Sequence, residues 1–66
     1  MSNVRYIVYV NDHGHKEDSV DYEVEFSSLK EVAKYVHSLP SIHCCGHVEK
    51  WVGKDGNYLS DVIMRF

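Results

Sequence analysis

The sequence predicts an α+β domain in the order ββαββ, and three observations carry that expectation. Residues 20–26 alternate strictly between apolar and acidic side chains. Residues 28–39 combine a helix-capping box with an apolar stripe at helical spacing. Two apolar runs near the end are joined by Gly53-Lys54-Asp55-Gly56-Asn57, a turn-forming pentapeptide. Period two marks a half-buried strand, and period 3.6 marks an amphipathic helix.

The first predicted strand is Val4 to Val10, whose Val, Tyr and Ile content suits a pleated surface. A polar connection, Asn11 to Ser19, follows and contains Gly14. The second strand is Val20 to Phe26. Val20, Tyr22, Val24 and Phe26 share one face, and Asp21, Glu23 and Glu25 share the other. Ser28 with Glu31 three residues later is the capping box: the hydroxyl accepts from a backbone N–H at the helix start. Leu29, Val32, Ala33, Val36 and Leu39 form the expected apolar stripe. Pro40 disfavours the α conformation at Leu39, so the helix should end near Ser38. The third strand is expected at about His47 to Val52. The Asp-Gly turn can supply left-handed positions, and the fourth strand runs from Tyr58 to Phe66.

Every connection reverses the chain. An antiparallel sheet in the order 2-1-3-4, with the helix across one face, satisfies all the short connections. The order 2-1-4-3 is the alternative. With 66 residues the chain makes one domain, residues 1–66. A domain of this size buries only about 60% of its unfolded surface.

Composition narrows the function classes. The 44% apolar and 26% charged fractions are ordinary for a globular chain. A net charge of −3, with Lys and Arg scattered, argues against general nucleic-acid binding. The first residues carry no apolar signal-like region, and no stretch approaches the roughly 20 apolar residues that span a bilayer. The chain reads as cytoplasmic. Cys44 and Cys45 are adjacent and do not make a secreted disulfide framework. Cofactors are not indicated.

One helix covers one face of a four-stranded sheet, so the other face is left open. Val4, Tyr6, Val8 and Val10 are expected toward the helix, which leaves Ile7 and Tyr9 outside. If Val48 and Val52 point inward, Trp51 points outward. In the last strand either Val62, Met64 and Phe66, or Leu59 and Ile63, face away from the helix. An exposed patch holding Tyr and Trp is a usual protein-binding anchor. The sites expected to carry binding are therefore Tyr9 and Trp51 as anchors, Ile7 as apolar support, and Glu23 and Glu25 as an acidic rim. Asp21, Glu23 and Glu25 stand about 6.8 Å apart along the strand. Such a stripe also protects an edge strand from aggregation. The reading is a small non-enzymatic protein-binding module, a regulator or inhibitor, with a protein partner or its own copy in a homodimer. Size alone associates it with proteins encoded by phages and mobile elements.

Two alternatives remain. Five histidines and two cysteines concentrate in His13-Gly14-His15 and His43-Cys44-Cys45-Gly46-His47. Imidazole and thiolate are the usual ligands of zinc and copper. The topology allows His13, His15, His43, Cys44, Cys45 and His47 to meet at one end of the domain, and His13, His15, His43, Cys45 and His47 are the candidate ligands. Against this, the spacing matches no common zinc motif, and adjacent strand residues point to opposite faces. The second alternative is single-stranded nucleic acid stacking on Tyr9 and Trp51, which the acidic stripe opposes. No phosphate-binding glycine loop is present.

Overall fold

A computed structural model describes residues 3–13, 20–54 and 56–66. The β-branched and aromatic runs form four strands: β1 Asn3–Asp12, β2 Val20–Phe26, β3 Cys44–Lys54 and β4 Asn57–Arg65. They make one antiparallel sheet in the order β2-β1-β3-β4. The helix among the described residues, α1, is Leu29–Ser38. The predicted ββαββ class and the 2-1-3-4 order are both observed. The strands β1 and β3 run further than expected, because Asn11, Asp12, Cys44 and Cys45 continue their mutual pairing.

Local chemistry explains the helix ends. Ser28 is the N-cap, and its Oγ accepts from the Glu31 N–H at 3.3 Å. At the other end Leu39 is extended, φ −77 and ψ 138, as the following proline demands. Its N–H still closes the last turn onto the Val36 carbonyl. His37 lies in that last turn, where the helix dipole favours a positive group. Lys54 pairs with Asn57, and Gly56 takes φ +84 in the tight turn between them.

The core sits between α1 and the middle of the sheet. Tyr6, Val8 and Val10 from β1, Val32 from α1, and Cys44 and Val48 from β3 are buried. Val8, Val32 and Val48 are wholly shielded, and each is worth about 1.5–3 kcal/mol of apolar transfer. Tyr22, Phe26, Tyr35, Val36, Leu39, Met64 and Phe66 close the rim.

The helix presents a different stripe from the one the sequence suggests. Leu29 is half exposed and Ala33 is exposed, while Tyr35 joins Val32, Val36 and Leu39 against the sheet. Both sets have helical spacing. The aromatic pairing decides between them: Tyr35 packs on Phe26, ring centroids 5.2 Å apart. Tyr35 also hydrogen-bonds the Tyr22 phenol. That bond, followed by burial and by the neighbouring Tyr35, Cys44 and Asp12 charges, pushes the Tyr22 pKa up to about 12.

This has a pH consequence. The folded-state pKa lies above the ordinary value of 10.0, so the stabilisation is complete below about pH 10 and is lost as pH rises through about 12. Denaturant midpoints measured across that window should fall steadily, and Tyr22→Phe should make the fall shallower. Equal slopes in the two proteins would remove Tyr22 as the cause.

The last strand follows neither of the two patterns expected for it. A register shift at Val48/Glu49 inserts one extra residue into β4. Met64 pairs with Val48 on the helix side, but Val62 pairs with Glu49 on the open side. A bulge of this kind breaks the strand's alternation, so Met64 and Val62 part company although they are two residues apart.

Candidate functional site

The register of the four strands builds the open face. Alternation along β1 places Arg5, Ile7, Tyr9 and Asn11 opposite to the buried Tyr6, Val8 and Val10. Across the sheet, Trp51 pairs with Arg5, Glu49 with Ile7, and His47 with Tyr9. From the other side β2 brings Glu25 beside Ile7, Glu23 beside Tyr9 and Asp21 beside Asn11. Beyond the bulge β4 adds Tyr58, Ser60 and Val62. The predicted Ile7, Tyr9, Trp51, Glu23 and Glu25 therefore do share one surface.

The aromatic rings on this face are organised. Tyr9 stacks on His47, with centroids 4.8 Å apart and planes 18° from parallel. Trp51 packs against Tyr58 at 6.3 Å, and the Arg5 guanidinium lies 5.5 Å above the Tyr58 ring. Arg5, Ile7, Trp51 and Tyr58 line a hollow of about 240 Å³. The Trp51 Nε1 is shut off from solvent, and no acceptor among the described residues completes a hydrogen bond with it. It does approach the Tyr9 phenol closely enough to influence it. Burial raises the Tyr9 pKa first, the Glu49 and Glu23 carboxylates add to the rise, and the Trp51 indole N–H offsets part of it.

Four carboxylates, Asp21, Glu23, Glu25 and Glu49, meet two guanidiniums, Arg5 and Arg65, on this face. Arg5 Nε lies 3.2 Å from Glu25 Oε1, with both side chains about half exposed. An exposed pair of that kind contributes little stability. Asn11 donates to Asp21 Oδ1, and His47 Nε2 donates to Glu49 Oε2 at 2.8 Å. Glu23 is exposed and has no ion-pair partner among the described residues.

Sequence reasoning left out Arg5, His47, Glu49 and Tyr58 as members of this face, and placed Val62 there only in one of two alternatives for the last strand. Alternation along the first strand was enough to place Arg5 with Ile7 and Tyr9. The bulge hid Tyr58 and Val62, because it resets the alternation within β4.

The His/Cys residues are split between two places. His47 belongs to the open face, and Cys45 pairs with Asn11 there. His13 is exposed, with Nδ1 3.2 Å from Asn11 Oδ1. His15 lies outside the described residues. Among the described residues, His13, His43, Cys45 and His47 therefore do not converge as one ligand set. A different trio does: Asp12, His43 and Cys44 bring one oxygen, one nitrogen and one sulfur within 4.8 Å of one another. His43 Nδ1 donates to Asp12 Oδ1 at 3.1 Å, and Cys44 Sγ lies 3.7 Å from the same nitrogen. His43 and Cys44 converge although adjacent, because His43 sits in the turn before β3 and escapes strand alternation.

That trio does not form a nucleophilic relay. A relay needs the thiol on one ring nitrogen and the carboxylate on the other. Here both lie on Nδ1. Burial, then the Asp12 charge and its hydrogen bond, push the Cys44 thiol above its ordinary pKa, away from thiolate.

Among the described residues no helix is long and apolar enough to cross a membrane. Comparison with protein-family models, with curated proteins and with solved structures gives no match.

Proposed function

We propose that this chain is a non-enzymatic protein-binding module that presents its open sheet face to a partner with basic side chains. The observation that carries the reading is the uncovered face itself. Ile7, Tyr9, Trp51, Tyr58 and Val62 lie on it together, opposite α1. Tyr and Trp are enriched where binding energy concentrates. The surplus of carboxylates favours a basic partner and works through encounter rate and specificity. It also opposes a phosphate backbone.

A second copy of the chain is the other occupant the structure favours. Strand β2 guards its edge with Asp21, Glu23 and Glu25, whereas β4 exposes Leu59, Val62 and Ile63 at 77%, 46% and 42%. An apolar edge with few charges pairs readily with its own copy. Native mass spectrometry of untagged protein separates a dimer from a monomer awaiting a different partner.

The decisive comparison uses a captured partner and graded variants. Trp51→Ala should weaken binding by more than about 1 kcal/mol, and Glu23→Lys should slow association. Lys50→Ala, on the helix side, should change neither. Wild-type affinity in a folded Trp51→Ala protein would remove the open face as the binding site.

A further inference from the structure

We infer that Asp12, His43 and Cys44 form a binding site for a single zinc-class divalent cation, at the end of the sheet and on the face that α1 covers. This site is separate from the open face and from the protein-binding reading. It also differs from the ligand set the sequence suggested, which drew on Cys45 and His47.

The donor spacing carries the inference. Zinc takes nitrogen at about 2.0–2.1 Å, oxygen at about 2.0–2.2 Å and sulfur at about 2.3 Å, usually in a tetrahedron. The edges of such a tetrahedron are about 3.4 Å between nitrogen and oxygen and about 3.6 Å between nitrogen and sulfur. The observed His43 Nδ1 to Asp12 Oδ1 distance is 3.1 Å, and His43 Nδ1 to Cys44 Sγ is 3.7 Å. The third edge, from oxygen to sulfur, is within 4.8 Å. Two of three edges thus match within a few tenths of an ångström before any ion enters.

Backbone hydrogen bonds hold the three ligand residues in place. Asp12 and Cys44 are direct cross-strand partners in the central β1–β3 ladder. The Pro40 carbonyl accepts from the N–H groups of both His43 and Cys44, at 3.3 and 3.0 Å. The His43 carbonyl in turn accepts from His13 N–H at 2.8 Å. A hollow of about 360 Å³, lined by Val36, His37, Leu39, Ser41, Cys44 and Phe66, opens beside the sulfur and offers a way in.

The chemistry of the set selects the ion. Thiolate and imidazole are poor ligands for calcium and magnesium, which prefer oxygen. One thiolate, one imidazole and one carboxylate suit borderline ions such as Zn²⁺ and Co²⁺. Binding balances simply: the thiol releases one proton to solvent, and the neutral imidazole moves its proton from Nδ1 to Nε2 as Nδ1 takes the metal. No electron is transferred. Three protein ligands leave the fourth tetrahedral position to water or to an exchangeable group.

Cobalt titration of the reduced, untagged full chain tests this. One equivalent of Co²⁺ should produce a thiolate-to-cobalt charge-transfer band with visible bands of tetrahedral intensity, and Zn²⁺ should abolish both. Cys44→Ser should remove the charge-transfer band. Asp12→Asn and His43→Gln should each weaken binding at least about tenfold, since even outer-shell partners cost about 10–100-fold. Cys45→Ser and His47→Gln should leave the titration unchanged. If Cys44→Ser fails to fold, the partly exposed His43 ring carries the test through His43→Gln. No charge-transfer band in the wild type, a band that survives Cys44→Ser, or one that disappears with Cys45→Ser would each overturn the site.

Discussion

Gly46→Ala is expected to unfold this domain. A Cβ built on Gly46 would lie 1.8 Å from the Tyr9 carbonyl oxygen and 2.9 Å from its carbon, both backbone atoms of the neighbouring strand. The Phe66 ring closes the third side at 3.2 Å. Gly46 cannot retreat, because its N–H and C=O are both hydrogen-bonded to Phe66, at 2.9 and 3.0 Å. Relief would require β1 and β3 to separate at the centre of the sheet. The cost should exceed about 4 kcal/mol, the exceptional range for one substitution. A chain this short has only about 3–10 kcal/mol in total. The same substitution elsewhere is a sharp control. At Gly53 the new Cβ meets the Tyr58 ring at 2.3 Å, a side chain that can swing away. That change should cost about 1–3 kcal/mol and disturb the Trp51–Tyr58–Arg5 group. At Gly56 no atom lies within 4 Å, and only the left-handed φ of +84 is strained, at about 1–2 kcal/mol. Circular dichroism and urea midpoints on the three proteins should give that order, and a Gly46→Ala protein as stable as the other two would contradict the backbone contact.

Val32→Asp is expected to detach the helix. Val32 is the only fully buried residue of α1, and it reaches the sheet between the tyrosine and valine side chains of the core. A carboxylate there has no partner and loses its hydration, which costs several kcal/mol. The chain's cheapest escape is to release α1 and expose the β1 and β3 valines. Helical ellipticity should fall, hydrophobic dye binding should rise, and amide protection should drop along residues 29–38. Leu29→Asp is the discriminating partner. Leu29 is half exposed, so its substitution should stay within about 0.5 kcal/mol. Equal damage from both would mean that the helix faces the sheet through the Leu29, Val32 and Ala33 side instead.

The elements were legible wherever local chemistry acts alone. The alternation of residues 20–26, the Ser28 cap, the stop imposed by Pro40 and the Gly56 turn each depend on neighbours a few residues away. The strand order followed too, since short reversing connections leave few arrangements. The helix stripe was misread because two overlapping sets of apolar residues both satisfy a period of 3.6. Only the position of Phe26 and Tyr22, residues on another element, favours Tyr35 over Leu29.

For the candidate sites the same division holds. By itself the sequence determined that one sheet face would stay uncovered and that Ile7, Tyr9, Trp51, Glu23 and Glu25 would stand on it. Those assignments depend on strand parity, which is a local property. Only the tertiary structure decided that Tyr58 and Val62 join them, because a one-residue bulge against β3 reset the parity of β4. Only the tertiary structure brought Asp12 to His43 and Cys44. Their meeting depends on the β1–β3 register and on a turn anchored at Pro40, across 31 residues of sequence. Spacing along a chain shows which residues share a face of one element. Which residues meet between elements depends on pairing register and side-chain packing, and those are settled only when the elements dock.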